Sequence, residues 1–265
     1  MSTSLGTWRN PPLAYVVAEL GISPHYTLGT SIPALQDALR AAYPRTLEGF
    51  QLTIEGPKAP MAPMAPQQVW QLLSAEQGHG AYVSTRSISF HATSYVDFPD
   101  FMSRWQQVLE ALEAAKISLY VERAGLRYID LIIPSGTHDC SEYLATGLKG
   151  IGAPAGSTVA DRLWASSFRF DGANVSARVG APSPPGVILP PNFNAMPLQK
   201  PAVMIAAEKR VETKQPIGFI DTDCSQDVAK PFDMKPILDL FSSLHDKVSS
   251  TFKAVISPVA TKEWV

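Results

Sequence analysis

The stretch Ser87 to Leu112, SISFHATSYVDFPDFMSRWQQVLEAL, carries two hydrophobic periods in succession. In its first part Ile88, Phe90 and Ala92 fall on one side of an extended chain and Ser87, Ser89, His91 and Thr93 on the other, because side chains alternate along a strand. One face therefore belongs to a core, and the other is wet or lines a groove. In its second part Phe101, Trp105, Val108 and Leu112 recur at helical intervals. Asp97 stands where a side chain caps the first turn. Pro99 is tolerated there because its missing amide would lack a partner anyway, and Asp100 complements the helix dipole. A one-sided strand followed by a one-sided helix is the unit of a sheet covered by helices.

Working outward, the same patterns recur. On the N-terminal side Asn10-Pro11-Pro12 resist helix entry, and Leu13 to Ile22 (LAYVVAELGI) reads as a strand. Ser31 to Tyr43 reads as a helix capped by Ser31, with Pro33 in its first turn and Pro44 at its end. Phe50, Leu52 and Ile54 alternate as a strand with one buried face. Gly56 to Pro66 (GPKAPMAPMAP) reads as an extended connecting loop. Val69 to Glu76 and Ala81 to Tyr95 form a hairpin around Gln77-Gly78-His79-Gly80, where glycine supplies positive φ.

On the C-terminal side Ile117 to Pro134 is a long strand with a break near Ala124-Gly125. Leu163 to Phe170 and Asn174 to Val179 flank the hairpin signal Asp171-Gly172. A second proline-rich stretch, Ala181 to Pro201, is too long for a simple turn. Two further strands follow, Ala202 to Val211 and Ile217 to Cys224. The last helix starts near Asp233 and carries Ile237, Phe241, Leu244, Val248 and Phe252 on one side.

These elements predict an α+β fold: a mostly antiparallel sheet packed by amphipathic helices. A hairpin, a strand and a helix at Val69 to Ala114 have a counterpart at Leu163 to Ile256. Hairpin–helix units are common, so a chance likeness is the commoner reading and a true duplication its alternative; the chain divides into α+β halves 1–135 and 136–265, joined in one compact unit.

Composition narrows the function. With 45% hydrophobic and 17% charged residues the chain can bury a core, so no staple is required for folding. A net charge of −2 gives no general pull towards nucleic acid or anionic lipid. Cys140 and Cys224 lack zinc-ligand spacing and read as reduced thiols. No secretory signal or spanning segment is visible, which implies a cytoplasmic setting and no membrane partner. Phosphate-loop, dinucleotide, nucleophile-elbow and zinc-protease motifs are missing, so no cofactor is expected. Trp70, Tyr82 and Tyr95 lack an interleaved Lys/Arg stripe and read as core rather than base-stacking groups.

The chemistry-bearing candidates concentrate in Arg123-Ala124-Gly125-Leu126-Arg127-Tyr128-Ile129-Asp130. On a strand Arg127, Ile129 and Leu131 face one way, and Tyr128 and Asp130 the other. An arginine among such neighbours needs solvent, an internal acid or an anionic ligand. An internal ion pair is the commoner outcome. Asp221 and Asp223 share a strand face and either answer Arg127 or hold a cation. Two aspartates without further ligands make a poor metal site, so no metal is expected. His245 flanks the apolar stripe of the last helix and reads as a core-edge residue, with acid/base work as its alternative. His91 carries similarly little catalytic weight.

In these motifs the chain resembles a sporadically distributed, uncharacterised bacterial protein family of roughly this length. The likeness rests on Asn10-Pro11-Pro12, Gly125-Leu126-Arg127-Tyr128, Phe219-Ile220-Asp221-Thr222-Asp223, Leu244-His245 and Phe252, in order along nearly the whole chain. The family pattern often has Asn where Asp130 stands here. No activity comes with the resemblance. Its patchy distribution implies a conditional function such as defence or toxin control. The expected function is a non-enzymatic binding or accessory protein that recognises another protein through its sheet face and proline-rich loops. The alternative is an enzyme or small-ligand binder that holds an anion in a pocket of Arg123, Arg127, Asp130, Asp221, Asp223 and His245.

Overall fold

The computed structural model describes residues 8–51, 67–191 and 193–265. Among them the chain forms β1 (Leu13–Ile22), α1 (Leu28–Leu39), β2 (Arg45–Gln51), β3 (Gln67–Leu73), β4 (His79–Ser84), β5 (Ser87–Ala92), α2 (Phe98–Ala114) and β6 (Tyr120–Ile132). There follow β7 (Leu163–Phe170), β8 (Ala173–Gly180), α3 (Ala202–Glu212), β9 (Gly218–Pro231), α4 (Met234–Val255) and α5 (Pro258–Trp264). The fold is α+β. The described strands make one sheet in the order β2-β3-β4-β5-β1-β6-β9-β8-β7, and every adjacent pair is antiparallel. Leu52, Ile54 and the proline-rich stretch Gly56 to Pro66 lie outside the described residues.

Alternation sets the two faces of the sheet. Ala18 and Leu20 of β1, Ile88 and Phe90 of β5, and Ala124 and Leu126 of β6 enter one large core. That core also takes Leu28, Ile32 and Leu35 from α1, Phe101, Trp105 and Val108 from α2, and Ile237, Phe241 and Leu244 from α4. Full burial of each large apolar side chain contributes about 1.5–3 kcal/mol, so this face holds most of the hydrophobic stabilisation. Asp97 caps α2 by accepting the Asp100 amide at 2.8 Å. A second cluster joins Trp8, Tyr143, Phe252 and Trp264 beside Ile132 and Ile220. Across the sheet α3 packs Met204 and Ala207 on Ala14, Leu131 and Phe219, covering only one end of that face.

Several local expectations are corrected. Ala202 to Val211 is helix, not strand: Pro201 stands at its N-cap, and good helix formers (Ala206, Ala207, Glu208, Lys209, Arg210) outweigh the Val and Ile. α1 starts at Leu28, so Pro33 lies inside it and Ser31 is not its cap. The 81–95 return is two strands, because the Ser84 hydroxyl accepts the amides of Arg86 and Ser87 and folds a turn. In the preceding turn Gln77, not a glycine, takes positive φ (56°). Gly78 and Gly80 serve close approach instead: a Cβ at Gly80 would stand 2.7 Å from the Leu72 carbonyl. The irregularity of β6 falls between Val121 and Arg123, ahead of Ala124-Gly125. Phe50 is 73% exposed, since edge strand β2 leaves it uncovered.

Candidate functional site

The face opposite α1, α2 and α4 is polar. Register brings Glu19 of β1 beside Ser89 of β5 and Gly125 of β6, and in the next row Val17 beside His91 and Arg127, which in turn pairs with Asp223 of β9. The serine face read from the 87–93 alternation is thus the floor of a groove. The Ala181 to Pro201 segment crosses one end of it. Met196 donates its amide to the Tyr15 hydroxyl (2.9 Å), and Gln199 donates its amide to the Gln77 carbonyl (2.7 Å). Phe193 lies edge-on to Tyr15, with Arg127 Cζ 4.9 Å from its ring centroid. Beside this cover opens a cavity of about 340 Å³, lined by Val17, Glu19, Tyr82, Ser89, His91, Arg86, Arg123, Gly125, Arg127, Phe193, Asn194 and Asp223 among others. Tyr82 therefore faces the cavity and is not core.

Four of the sequence-selected residues meet on this face. Arg127 donates from Nε to Asp221 Oδ1 (2.7 Å) and from Nη2 to Asp221 Oδ2 (2.8 Å). The Asp221 side chain is fully buried, and Arg178 Nε stands 3.8 Å from its Oδ2. Such a bidentate pair satisfies both planar groups. Arg127 is thus answered from inside, by the internal ion pair named as the commoner outcome. Arg123 is held loosely, donating from Nη1 to Glu19 Oε1 at 3.4 Å, and both side chains are 39% exposed. Asp223 makes no hydrogen bond or ion pair among the described residues. Desolvation raises the pKa of Asp223 and of Glu19, and Arg123 opposes the shift in both.

The other two do not join them. Asp130 and His245 lie on the helix-covered face, so a single pocket holding all six residues is ruled out by strand parity and by the side on which α4 docks. His245 Nδ1 is 3.0 Å from the Tyr128 hydroxyl, and its ring stacks on Phe98 at 3.9 Å between centroids. Burial lowers its pKa to about 4. Asp130, 6% exposed, borders a cavity of about 30 Å³ with Trp8, Tyr95 and Tyr128. Burial, with a smaller contribution from Asp221, lifts its carboxyl to about 8.

Sequence reasoning underweighted a hydrogen-bonded chain beside the cavity. The Ser89 hydroxyl is 2.8 Å from His91 Nε2, and the Tyr15 hydroxyl is 3.2 Å from His91 Nδ1. With its oxygen accepting the Met196 amide, Tyr15 can give its proton to Nδ1; in that tautomer Nε2–H donates to Ser89 and the serine proton is left for an occupant. The signal was the Ser-x-Ser-x-His alternation. Among the described residues no group of three or more His, Cys, Asp or Glu is placed to hold a metal ion. Cys140 and Cys224 are both buried and unbridged. No helix among the described residues is long and apolar enough to cross a membrane.

No protein-family model matches the chain, and no curated protein matches it.

Proposed function

We propose that this protein is a non-enzymatic binding or accessory protein whose recognition element is the open sheet face, with its cavity beside the Ala181 to Pro201 segment. One observation carries the reading: the 340 Å³ cavity is lined by charged groups that no hydrogen bond or close ion pair closes among the described residues, the Asp223 carboxylate, which feels Arg123, Arg127 and Arg178 only at longer range, and the exposed Arg86 guanidinium. Partly buried charges left open in a hollow are natural recognition groups. The occupant is a segment of another protein or a small polar ligand. The proline-rich segment, pinned across the groove, supplies the kind of loop that often bears recognition.

Binding is favoured over catalysis by the histidines. His91 is fully buried, which lowers its pKa to about 3. So weak a base takes protons poorly at neutral pH. His245 is on the far face, and the Arg127 fork is occupied by Asp221, so an anion-holding Arg/Asp/His reaction centre lacks two of its parts. The family resemblance adds support for a conditional role, in defence or toxin control, in a cytoplasmic setting. The strand order supports two related halves: outward from the central β1–β6 pair it runs β5-β4-β3-β2 on one side and β9-β8-β7 on the other.

Gly125→Leu tests the cavity directly. A Cβ there would touch the Arg123 guanidinium at 3.4 Å, and the three nearest atoms all belong to that flexible side chain, so a leucine fills the floor by pushing Arg123 aside. In thermal-shift measurements with carboxylates, phosphates and short peptides, the wild type is expected to be stabilised by an occupant at about 100 times its Kd by roughly 2.7 kcal/mol. The variant should melt as the wild type does when unliganded and lose that response. Equal responses from the two proteins would move recognition elsewhere.

A further inference from the structure

We infer that this protein pairs with a second copy of itself along β7, strand to strand and antiparallel about Ser166. β7 ends the described sheet, with β8 on one side and no strand on the other. Just before it, Arg162 accepts the Ala181 amide and donates its own amide to the Pro182 carbonyl, so its backbone faces β8. Backbone groups alternate in direction along a strand. Those of Leu163, Ala165, Ser167 and Arg169 therefore point away from β8. Among the described residues no backbone bond reaches them from that side. Edge strands are commonly guarded by lysine, proline or a bulge. The run LWASSFRF holds neither residue, and its register with β8 is unbroken. Its side chains are apolar as well. Trp164, Ser166, Phe168 and Phe170 stand opposite Val179, Ala177, Val175 and Ala173 of β8, on the helix-covered face. Those four β8 residues are buried, whereas Phe168 and Phe170 are 40% and 38% exposed. α4 packs on β6, β9 and β8, and the aromatic row lies at its margin.

The strand is complementary to itself in one register. When Ser166 faces Ser166 of the second copy, each outward residue meets an outward residue: Leu163 meets Arg169, and Ala165 meets Ser167. About eight backbone bonds then close, two for each such pair. Shifting the register by two residues either way leaves some of these groups unpaired. The same register sets Trp164 beside Phe168 of the second copy, twice by symmetry. Those are non-hydrogen-bonded positions, where side chains approach most closely and aromatic pairs are favourable. Arg169, the one charge on β7, lies against Leu163, so no like charges meet. A twofold axis through the sheet keeps the helices of both copies on the same side. β7 does not line the 340 Å³ cavity, so the cavity reading stands or falls separately.

The test is sedimentation equilibrium of the full chain. One strand pair makes a small interface, so a monomer–dimer equilibrium with a Kd on the order of 10 μM is expected. Ser167→Pro removes an amide that points outward, so β7 keeps its bonds to β8 while the second copy loses a donor. Ser166→Lys sets two like charges opposite one another at the axis. Each should weaken the dimer about tenfold or more, with thermal melts confirming that the variant is folded. Cysteine reads the register. Ser166→Cys faces its own copy at about 4.5 Å between Cα atoms, within disulfide reach, so mild oxidation should link the dimer. Ser167→Cys faces Ala165 and should not link. Cys140 and Cys224 are buried and do not compete. Should the proline unfold β7, the lysine variant and the cysteine pair still decide. A wild type that stays monomeric at about 500 μM overturns the proposal. So does a dimer that Ser166→Lys leaves intact, or one that Ser167→Cys links and Ser166→Cys does not.

Discussion

The two faces of the sheet carry similar polar residues a few ångströms apart, yet they treat them differently. On the helix-covered face Tyr128, His245 and Asp130 are enclosed, and the enclosure drives the ionisable groups to their neutral forms: His245 falls to about 4 and Asp130 rises to about 8. On the open face the charges persist, but only one pair is closed. Arg127 and Asp221 are locked two-pronged and deep, while Glu19, Arg123 and Asp223 stand at the cavity with contacts that are long or missing. One face encloses its polar groups, and the other leaves them beside a cavity. Substitutions that exchange the fates of these groups test the distinction.

The largest effect is expected at the locked pair. Asp221→Ala leaves Arg127, 18% exposed, without its acid in the sheet. Breaking a buried ion pair costs about 3–5 kcal/mol, most of it from the stranded charge. Urea denaturation should show that loss. The double variant Asp221→Leu with Arg127→Met should recover much of it, because no charge remains to be desolvated. A single variant that melts like the wild type would show that Asp223, Glu19 and solvent already carry Arg127.

A second exchange concerns Asp130, whose folded pKa is raised to about 8 from an ordinary 3.8. The folded state then holds its proton more tightly than the unfolded chain does. Below pH ~4 both states are protonated and Asp130 contributes no slope. From there to pH ~8 stability falls as pH rises, and above that the penalty is constant. Asp130→Asn should remove the slope, so its gain in Tm over the wild type grows between pH 4 and 8. His245 and His91 act in the opposite sense. Their lowered pKa values make stability fall as pH drops below the ordinary histidine value of 6.5 towards about 4 and about 3. A Tm difference between Asp130→Asn and wild type that does not change with pH would mean that Asp130 titrates normally.

Much of this division was readable in the chain, and the parts that were not share a cause. β1, α2, α4 and the β7–β8 hairpin announce themselves by period and by caps or turns, all local properties. The Ser-x-Ser-x-His side of β5 and the odd-numbered side of β6 were also readable as faces apart from the core. Periodicity tells which residues of one element share a face. It does not tell on which side of the sheet a helix docks, and that is why His245 was grouped with Arg127 when it packs beside Tyr128. The remedy lay in the same strand: Ile88 and Phe90 need helices over them, so an apolar helix stripe belongs with Tyr128 and not with Arg127. The 202–212 helix was missed because Val203, Met204 and Ile205 fit either period over so short a run, and only tertiary packing on Leu131 and Phe219 decides.

The smallest effect is expected at Glu19, and its sign is the informative part. Its ion pair with Arg123 is 39% exposed on both sides, a class worth about 0–1 kcal/mol in water and less as salt screens it. Desolvation raises the Glu19 pKa in spite of Arg123. The folded state therefore favours the protonated acid, and stability is lost as pH rises from the unfolded value through the folded one. At neutral pH Glu19→Gln should leave Tm unchanged or raise it slightly, the opposite of Asp221→Ala one strand away from Arg127. A clear drop in Tm for Glu19→Gln would instead make Glu19 a brace for Arg123, and the contrast between a locked pair and an open one would shrink to a difference of degree.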